Sequence, residues 1–279
     1  MKIFFLTVFA LTAFAFNSIL CRMALATGEI DPASFTAIRL VSGTVTLVII
    51  LLVSRKIQTL ASKGSWVSAF FLFAYAIAFS FAYLGLTAGT GALILFGSVQ
   101  LTMFGVSLFR GERPGALEWV GLLVAFSGLV YLVLPGLAAP PPGSAALMVS
   151  AGIAWGFYTL RGKGSGDPLA DTAGNFLRSV PIVLVTALMF FSSSLLSMRG
   201  AVLAAASGAI ASGIGYSIWY AALKYHTPAR AGILQLSVPI IASVGGVLLL
   251  AETTSIRLSI ASAMVLGGIG LTLIRGRKG

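Results

Sequence analysis

The stretch SVQLTMFGVSLFRGE, residues 98–112, returns as SVPIIASVGGVLLLAE, residues 237–252, and that recurrence decides how the chain folds. Ser98-Val99 matches Ser237-Val238 at a shift of 139 residues, and Arg22/Arg161 and Arg39/Arg178 keep the same shift. One inserted residue later, Gly105 matches Gly245, Glu112 matches Glu252 and Gly128 matches Gly268. The shift is half of the 279-residue length. Apolar coincidences carry little weight in a chain that is 58% hydrophobic, but charged residues are only 9% of it, so two arginine pairs and a glutamate pair carry more.

Composition places the repeat in a membrane. Mean hydropathy is +1.02, and apolar stretches of about 20 residues, the length a helix needs to cross a bilayer, recur along the whole chain. No polar stretch is long enough for a soluble domain. The net charge of +11 does not point to nucleic acid, because the basic residues stand singly or in pairs at the ends of apolar spans, where membrane topology puts them. Cys21 is the only cysteine, which excludes an intrachain disulfide and a cysteine-based metal site. Lys2, an apolar run and Ala24-Leu25-Ala26 resemble a signal peptide. The repeat argues for retention, because cleavage would delete the partner of the span near 144–161.

Ten spans are expected, at 3–24, 33–53, 66–86, 90–109, 115–134, 144–161, 172–195, 200–222, 229–250 and 257–274. With the N-terminus cytoplasmic, the inner side carries Lys2, Arg55, Lys56, Lys63, Arg110, Arg113, Arg161, Lys163, Lys224, Arg230, Arg275, Arg277 and Lys278, 13 of the 18 basic residues. The outer loops keep Arg199 and Arg257. This bias puts both termini inside. Five spans per repeat is an odd number, so the second copy enters the membrane from the opposite side. The expected fold is therefore an all-α integral membrane protein of ten transmembrane helices in two inverted five-helix repeats, 1–139 and 140–279, an arrangement shared by many transporters. Pro140-Pro141-Pro142 reads as a stiff linker between them, Pro181 and Pro239 as bends within spans, and patterns such as Gly208-Ser212 as close helix contacts.

Phe16-Asn17-Ser18 with Arg22 in span one, Arg39 in span two, and Gly111-Glu112 after span four echoed by Ala251-Glu252 after span nine resemble the drug/metabolite transporter superfamily. Within it the chain is most similar to the EamA-type exporters, in particular the aromatic amino acid exporters (YddG-type). The resemblance covers the whole chain. It implies export of small metabolites from a bacterial cytoplasm, across the inner membrane, through a central cavity lined by spans one, three, four, six, eight and nine.

The residues themselves narrow the chemistry. All seven acids, Glu29, Asp31, Glu112, Glu118, Asp167, Asp171 and Glu252, map to loops or span ends. A proton-coupled exporter of hydrophobic cations usually keeps a carboxylate within a span. His226, the only histidine, falls in a loop, and no phosphate-binding loop is present. Neutral polar and aromatic residues remain near the midplane. They are Asn17 in span one, Gln100 in span four, and Gln235 and Ser237 in span nine. Tyr75, Phe79 and Tyr83 lie at helical spacing in span three, Trp155 and Tyr158 in span six, and Tyr216, Trp219 and Tyr220 in span eight. Such groups suit a solute with an apolar or aromatic side chain and a neutral or zwitterionic head. Membrane aromatics also serve as interfacial anchors, the reading given to Trp66, Trp119 and Tyr131. Arg39 and Arg178, inside spans at a cost of about 2.5–3.5 kcal/mol each, are candidate gate residues. Arg39 would pair with Glu29 or Asp31 outside and Arg178 with Asp167 or Asp171 inside, in alternation; snorkelling is the plainer reading. Glu112 and Glu252 are expected to be structural, accepting hydrogen bonds from backbone or pairing with Arg113 or Arg257.

The expected function is an alternating-access exporter of aromatic or other apolar amino acids, with a multidrug exporter of lipophilic cations as the alternative. No converging set of nucleophile, base, paired carboxylates or metal ligands supports an enzyme. No cofactor and no obligate protein partner are expected beyond the lipid bilayer and a small-molecule substrate. Repeat positions that differ, Asn17 against Gly156 and Gln100 against Pro239, are where specificity is expected.

Overall fold

The computed structural model describes residues 2–60, 62–109, 111, 115–134, 136, 139–162, 165–190, 195–223, 225, 234–235 and 237–274. Among them the chain is helical throughout, apart from an isolated bridge between Ile30 and Leu196. The helices are α1 (Lys2–Ala26), α2 (Pro32–Val53), α3 (Trp66–Ala82), α4 (Ala88–Phe109), α5 (Ala116–Val133), α6 (Pro142–Gly162) and α7 (Pro168–Met189). A continuous α8 follows, made of Met198–Ala206, a π-wound Ser207–Ile214 and Gly215–Leu223, and then α9 (Ser237–Leu250) and α10 (Ile256–Ile274). Seven of these ten are long and apolar enough to cross a membrane; α3, α9 and α10 contain shorter apolar helices. Helix is what lipid demands, because it satisfies every backbone N–H and C=O within the segment.

Local chemistry sets the boundaries. Asp31 caps α2 by accepting from the Ala33 and Ser34 amides at 3.0 and 2.9 Å, with Pro32 at the first position. Asp167-Pro168 opens α7 in the same way, which starts that helix four residues before the expected 172. Ser65 caps α3 and Ser197 caps α8. Pro142 opens α6 instead of extending the linker. Pro239 falls in the first turn of α9, where the bend expected of it is not required, whereas Pro181 lies inside α7. Arg39 lies 7 residues after Pro32 and Arg178 lies 10 after Pro168. The two arginines aligned by the repeat therefore sit almost one turn apart in depth.

Glycine sets the packing. Gly152 and Gly156 of α6 lie against Ser98 and Thr102 of α4, with no room for a side chain. Gly128 of α5 faces Met264 and Val265, and Gly268 of α10 faces Gly121 and Ala125, so two glycines read as repeat partners share one helix crossing. Gly208, in the π-wound part of α8, lies on the carbonyl of Arg39 and the hydroxyl of Ser42. Small residues permit such approaches in lipid, where close packing is a main source of helix association.

A Gly208→Val protein should lose about 1–3 kcal/mol through overpacking. Gly267→Ala, where a Cβ meets nothing within 4 Å, should be neutral. Thermal unfolding of the two purified variants separates them; equal melting temperatures would contradict the packing described.

Candidate functional site

Five helices converge on one internal cavity. It is lined by Phe14, Asn17 and Ser18 of α1, Tyr75 and Phe79 of α3, Leu95 and Phe96 of α4, Trp155 of α6 and Tyr216 of α8. The α1 and α3 residues follow helical spacing, so each set shares a face. The rings form a continuous wall. Tyr75 lies 4.7 Å from Trp155 between centroids, Trp155 lies 5.1 Å from Tyr216, and Phe14 lies 5.6 Å from Tyr216. The aromatic faces of α3 and α8 thus meet through Trp155. The cavity leaves about 20 Å³ for the centres of water molecules, room for a water and far below the ~300 Å³ of a drug-sized pocket. Ligand entry therefore requires the walls to separate.

A polar chain runs along one wall. Ser207 donates to Asn17 Oδ1 at 2.6 Å, and Asn17 Nδ2 donates to the Tyr75 hydroxyl at 3.2 Å. Arg39 Nη2 donates to the same hydroxyl at 3.0 Å, and its Nε donates to Ser212 at 3.2 Å. The π-winding of α8 explains the two serines. In an α-helix, residues five apart point about 140° from each other, whereas i→i+5 winding stacks them. Arg39 is only 1% exposed. Its guanidinium lies 5.2 Å from the Tyr75 centroid and 5.1 Å from that of Phe79, and its Nη1 is buried with no hydrogen-bond partner among the described residues.

Neither expected gate pair forms. Asp31 is taken by the α2 amides and by the Leu195 amide at 3.2 Å, while Glu29 binds Ser197 and Arg199. Both are held at the end of the bundle where α1 finishes, and Arg39 turns into the core without them. Arg178 donates from Nη1 to the carbonyls of Lys63 at 2.6 Å and Gly174 at 3.0 Å, because Asp171 is already accepting from the Gly64 amide and from Ser165. Asp167 caps α7 and meets Lys56 at 3.5 Å. The α1–α2 loop is tied to residues 195–199 and the α2–α3 loop to α7 in the same conformation.

Glu252 takes a backbone hydrogen bond, as expected, but its ion-pair partner is Arg22 and not Arg257. It accepts from Arg22 Nε at 3.1 Å and from the Ala88 amide at 2.9 Å, while Arg22 also donates to the carbonyl of Tyr83 at 2.9 Å. One ion pair thus joins the ends of α1, α3 and α9 to the start of α4. Arg257 instead donates to the carbonyls of Tyr131 and Leu134. Arg161, the repeat partner of Arg22, donates to Ser68 at 3.0 Å.

The other expected site residues lie outside the lining. Tyr83, Tyr158 and Trp219 form a second layer against Phe79, Trp155 and Phe14. Tyr220 is half-buried with its hydroxyl toward Gly162. Gln100 and Gln235 are half-buried, and Ser237 donates back to the Leu234 carbonyl within its own turn. Glu112, Arg113 and His226 lie outside the described residues.

The EamA-like transporter family model matches residues 143–274. "Uncharacterized protein PA1977" of Pseudomonas aeruginosa is 50% identical over 268 residues, covering 96% of this chain and 93% of that protein. The "Threonine/homoserine exporter RhtA" of Salmonella typhimurium is 29% identical over 220 residues, 70% of this chain and 72% of its own. A solved crystal structure superposes with a TM-score of 0.71 at 20% identity, over 98% of this chain and 99% of that one, which shows a shared fold.

The Arg22–Glu252 pair is part-buried, with side chains 21% and 11% exposed. In a double-mutant cycle of Arg22→Gln and Glu252→Gln it should show a coupling of about 1 kcal/mol. Additive melting-temperature losses would show that the two side chains do not act as a pair.

Proposed function

Residues 143–274 match the EamA-like transporter family, and from that match we propose that the chain exports aromatic or other apolar amino acids by alternating access. The observation that carries the substrate class is the cavity wall, in which Tyr75, Trp155, Tyr216 and Phe14 surround a single amide, Asn17. Stacking and apolar contact hold a side chain there, and the amide and hydroxyls replace water at its polar end. The relative named a threonine/homoserine exporter supports amino acid export as the class. The aromatic lining here favours larger side chains.

Alternating access follows from the halves 1–139 and 140–279 acting as inverted repeats around the cavity, in a bacterial inner membrane with both termini cytoplasmic. The shared crossing of Gly128 and Gly268 supports that symmetry, as does the small volume of the closed cavity. Export of lipophilic cations is the weaker reading. The aromatic rings suit a cation, but the buried guanidinium of Arg39 behind two of them repels one.

In proteoliposomes preloaded with L-phenylalanine, counterflow of labelled L-phenylalanine should exceed that of empty vesicles. Trp155→Ala should lower it at least fivefold with the fold retained by thermal unfolding. Absence of counterflow for every amino acid in a labelled panel, with efflux of a cationic dye in its place, would overturn the amino acid reading.

A further inference from the structure

We infer that Arg39, with Asn17, forms an anion-recognition site that takes the carboxylate of the transported molecule; this rests on the transport reading above and names the group by which the substrate is held. An arginine buried within a membrane bundle is costly and is met by a counter-charge unless something else supplies one. Among the described residues nothing does. Every described carboxylate has other partners: Glu29, Asp31, Asp167 and Asp171 at the helix ends, Glu118 at the α5 cap and Glu252 on Arg22. The guanidinium touches Ser212, Tyr75 and Phe79, with Tyr216 and Cys21 within electrostatic reach. Rings and hydroxyls soften the charge without neutralising it.

The donors are arranged for an anion. Asn17 Nδ2 and Arg39 Nη2 converge on one oxygen, the Tyr75 hydroxyl, at 3.2 and 3.0 Å. Two N–H groups directed at a single oxygen are what a carboxylate oxygen accepts, and a guanidinium binds it far more strongly than it binds a phenol. Nη1, the second arm of the fork, has no hydrogen-bond partner among the described residues. A carboxylate that displaces the Tyr75 hydroxyl occupies both arms of Arg39 while keeping the Asn17 bond. The aromatic body attached to it then lies between Tyr75, Trp155 and Tyr216, which border the same cavity. The closed cavity has the Tyr75 oxygen in the position the ligand oxygen takes when the walls part. A single guanidinium without a second cation selects a monocarboxylate. Conversion of Tyr75 from hydrogen-bond acceptor to displaced wall couples the arrival of a carboxylate to movement of α3.

Binding of three compounds to the purified full-length protein in detergent, by calorimetry, separates the alternatives. L-phenylalanine carries both charges, 3-phenylpropanoate the carboxylate alone and phenethylamine the ammonium alone. The first two should bind, and phenethylamine should bind at least tenfold more weakly, the range expected for losing a hydrogen-bonded charge. Arg39→Gln should erase that preference and Arg39→Lys should retain part of it. Since the preference is read in the unsubstituted protein, a variant that fails to fold leaves the test intact. Equal binding of phenethylamine, no binding of either carboxylate, or an undiminished preference in Arg39→Gln would overturn the inference. If 3-phenylpropanoate binds while L-phenylalanine is neither bound nor transported, the carboxylate site stands and the amino acid reading falls. If L-phenylalanine is transported while phenethylamine binds equally well, the reading stands and the site falls.

Discussion

A guanidinium enclosed by a membrane helix bundle must have its charge met, and the core of this protein is organised around the way Arg39 meets it without an acid. Two rings cover its faces, Ser212 and the Tyr75 hydroxyl accept two of its N–H groups, and one arm is left over. Each of these partners imposes something on the helix that carries it. Tyr75 fixes the rotation of α3 and, through Asn17, that of α1. Ser212 and Ser207 fix α8, and they reach one face only because α8 is π-wound there. Gly208 is needed in the same turn so that α8 can come down on the Arg39 carbonyl. The closed cavity is the space these constraints leave.

The ends of the bundle obey a different logic. There the carboxylates are consumed by helix caps and by neighbouring loops, and among the described residues three ion pairs, Arg22 with Glu252, Lys56 with Asp167 and Arg199 with Glu29, join the two halves of the chain. The charges that hold helix ends and the charge that lies behind the cavity wall are thus kept apart. This separation lets the polar groups at the centre answer to a ligand while the loop contacts persist. Motion that opens the cavity has to part α1, α3 and α8 near Tyr75, where the bonds are few and one of them ends on a hydroxyl that a ligand oxygen can replace.

Much of this was legible in the sequence, and the rest was hidden for identifiable reasons. The helices were readable because lipid leaves so few alternatives, and their ends shifted where a cap such as Asp167-Pro168 began a turn earlier than hydropathy did and where α3 and α7 stop at Ala82 and Met189, short of 86 and 195. Asn17, Tyr75, Phe79, Trp155 and Tyr216 stood out because an amide inside a span is expensive and because the α3 aromatics keep helical spacing. Phe14, Leu95 and Phe96 did not, since apolar residues in so apolar a chain carry no contrast. Ser212 was visible only as a small residue suited to close packing, and Ser207 not at all; no α-helical reading places the two on one face. Neither gate pair is made in this conformation, because the acids near each arginine in sequence are held by other groups. Asp31 lies beside Arg39 in sequence but serves its own helix N-terminus, while Glu252, 230 residues from Arg22, turned out to be that arginine's partner.

The central claim, that the cavity at Tyr75 is the point reached alternately from the two sides of the membrane, is tested most directly by placing a single thiol in its wall. With Cys21 replaced by alanine and Phe96, on the cavity wall, replaced by cysteine, a membrane-impermeant thiol reagent can be applied to one face of sealed vesicles at a time. The account predicts modification from each face, slowed from both by L-phenylalanine. Modification from one face only, or at a rate the amino acid leaves unchanged, would contradict it.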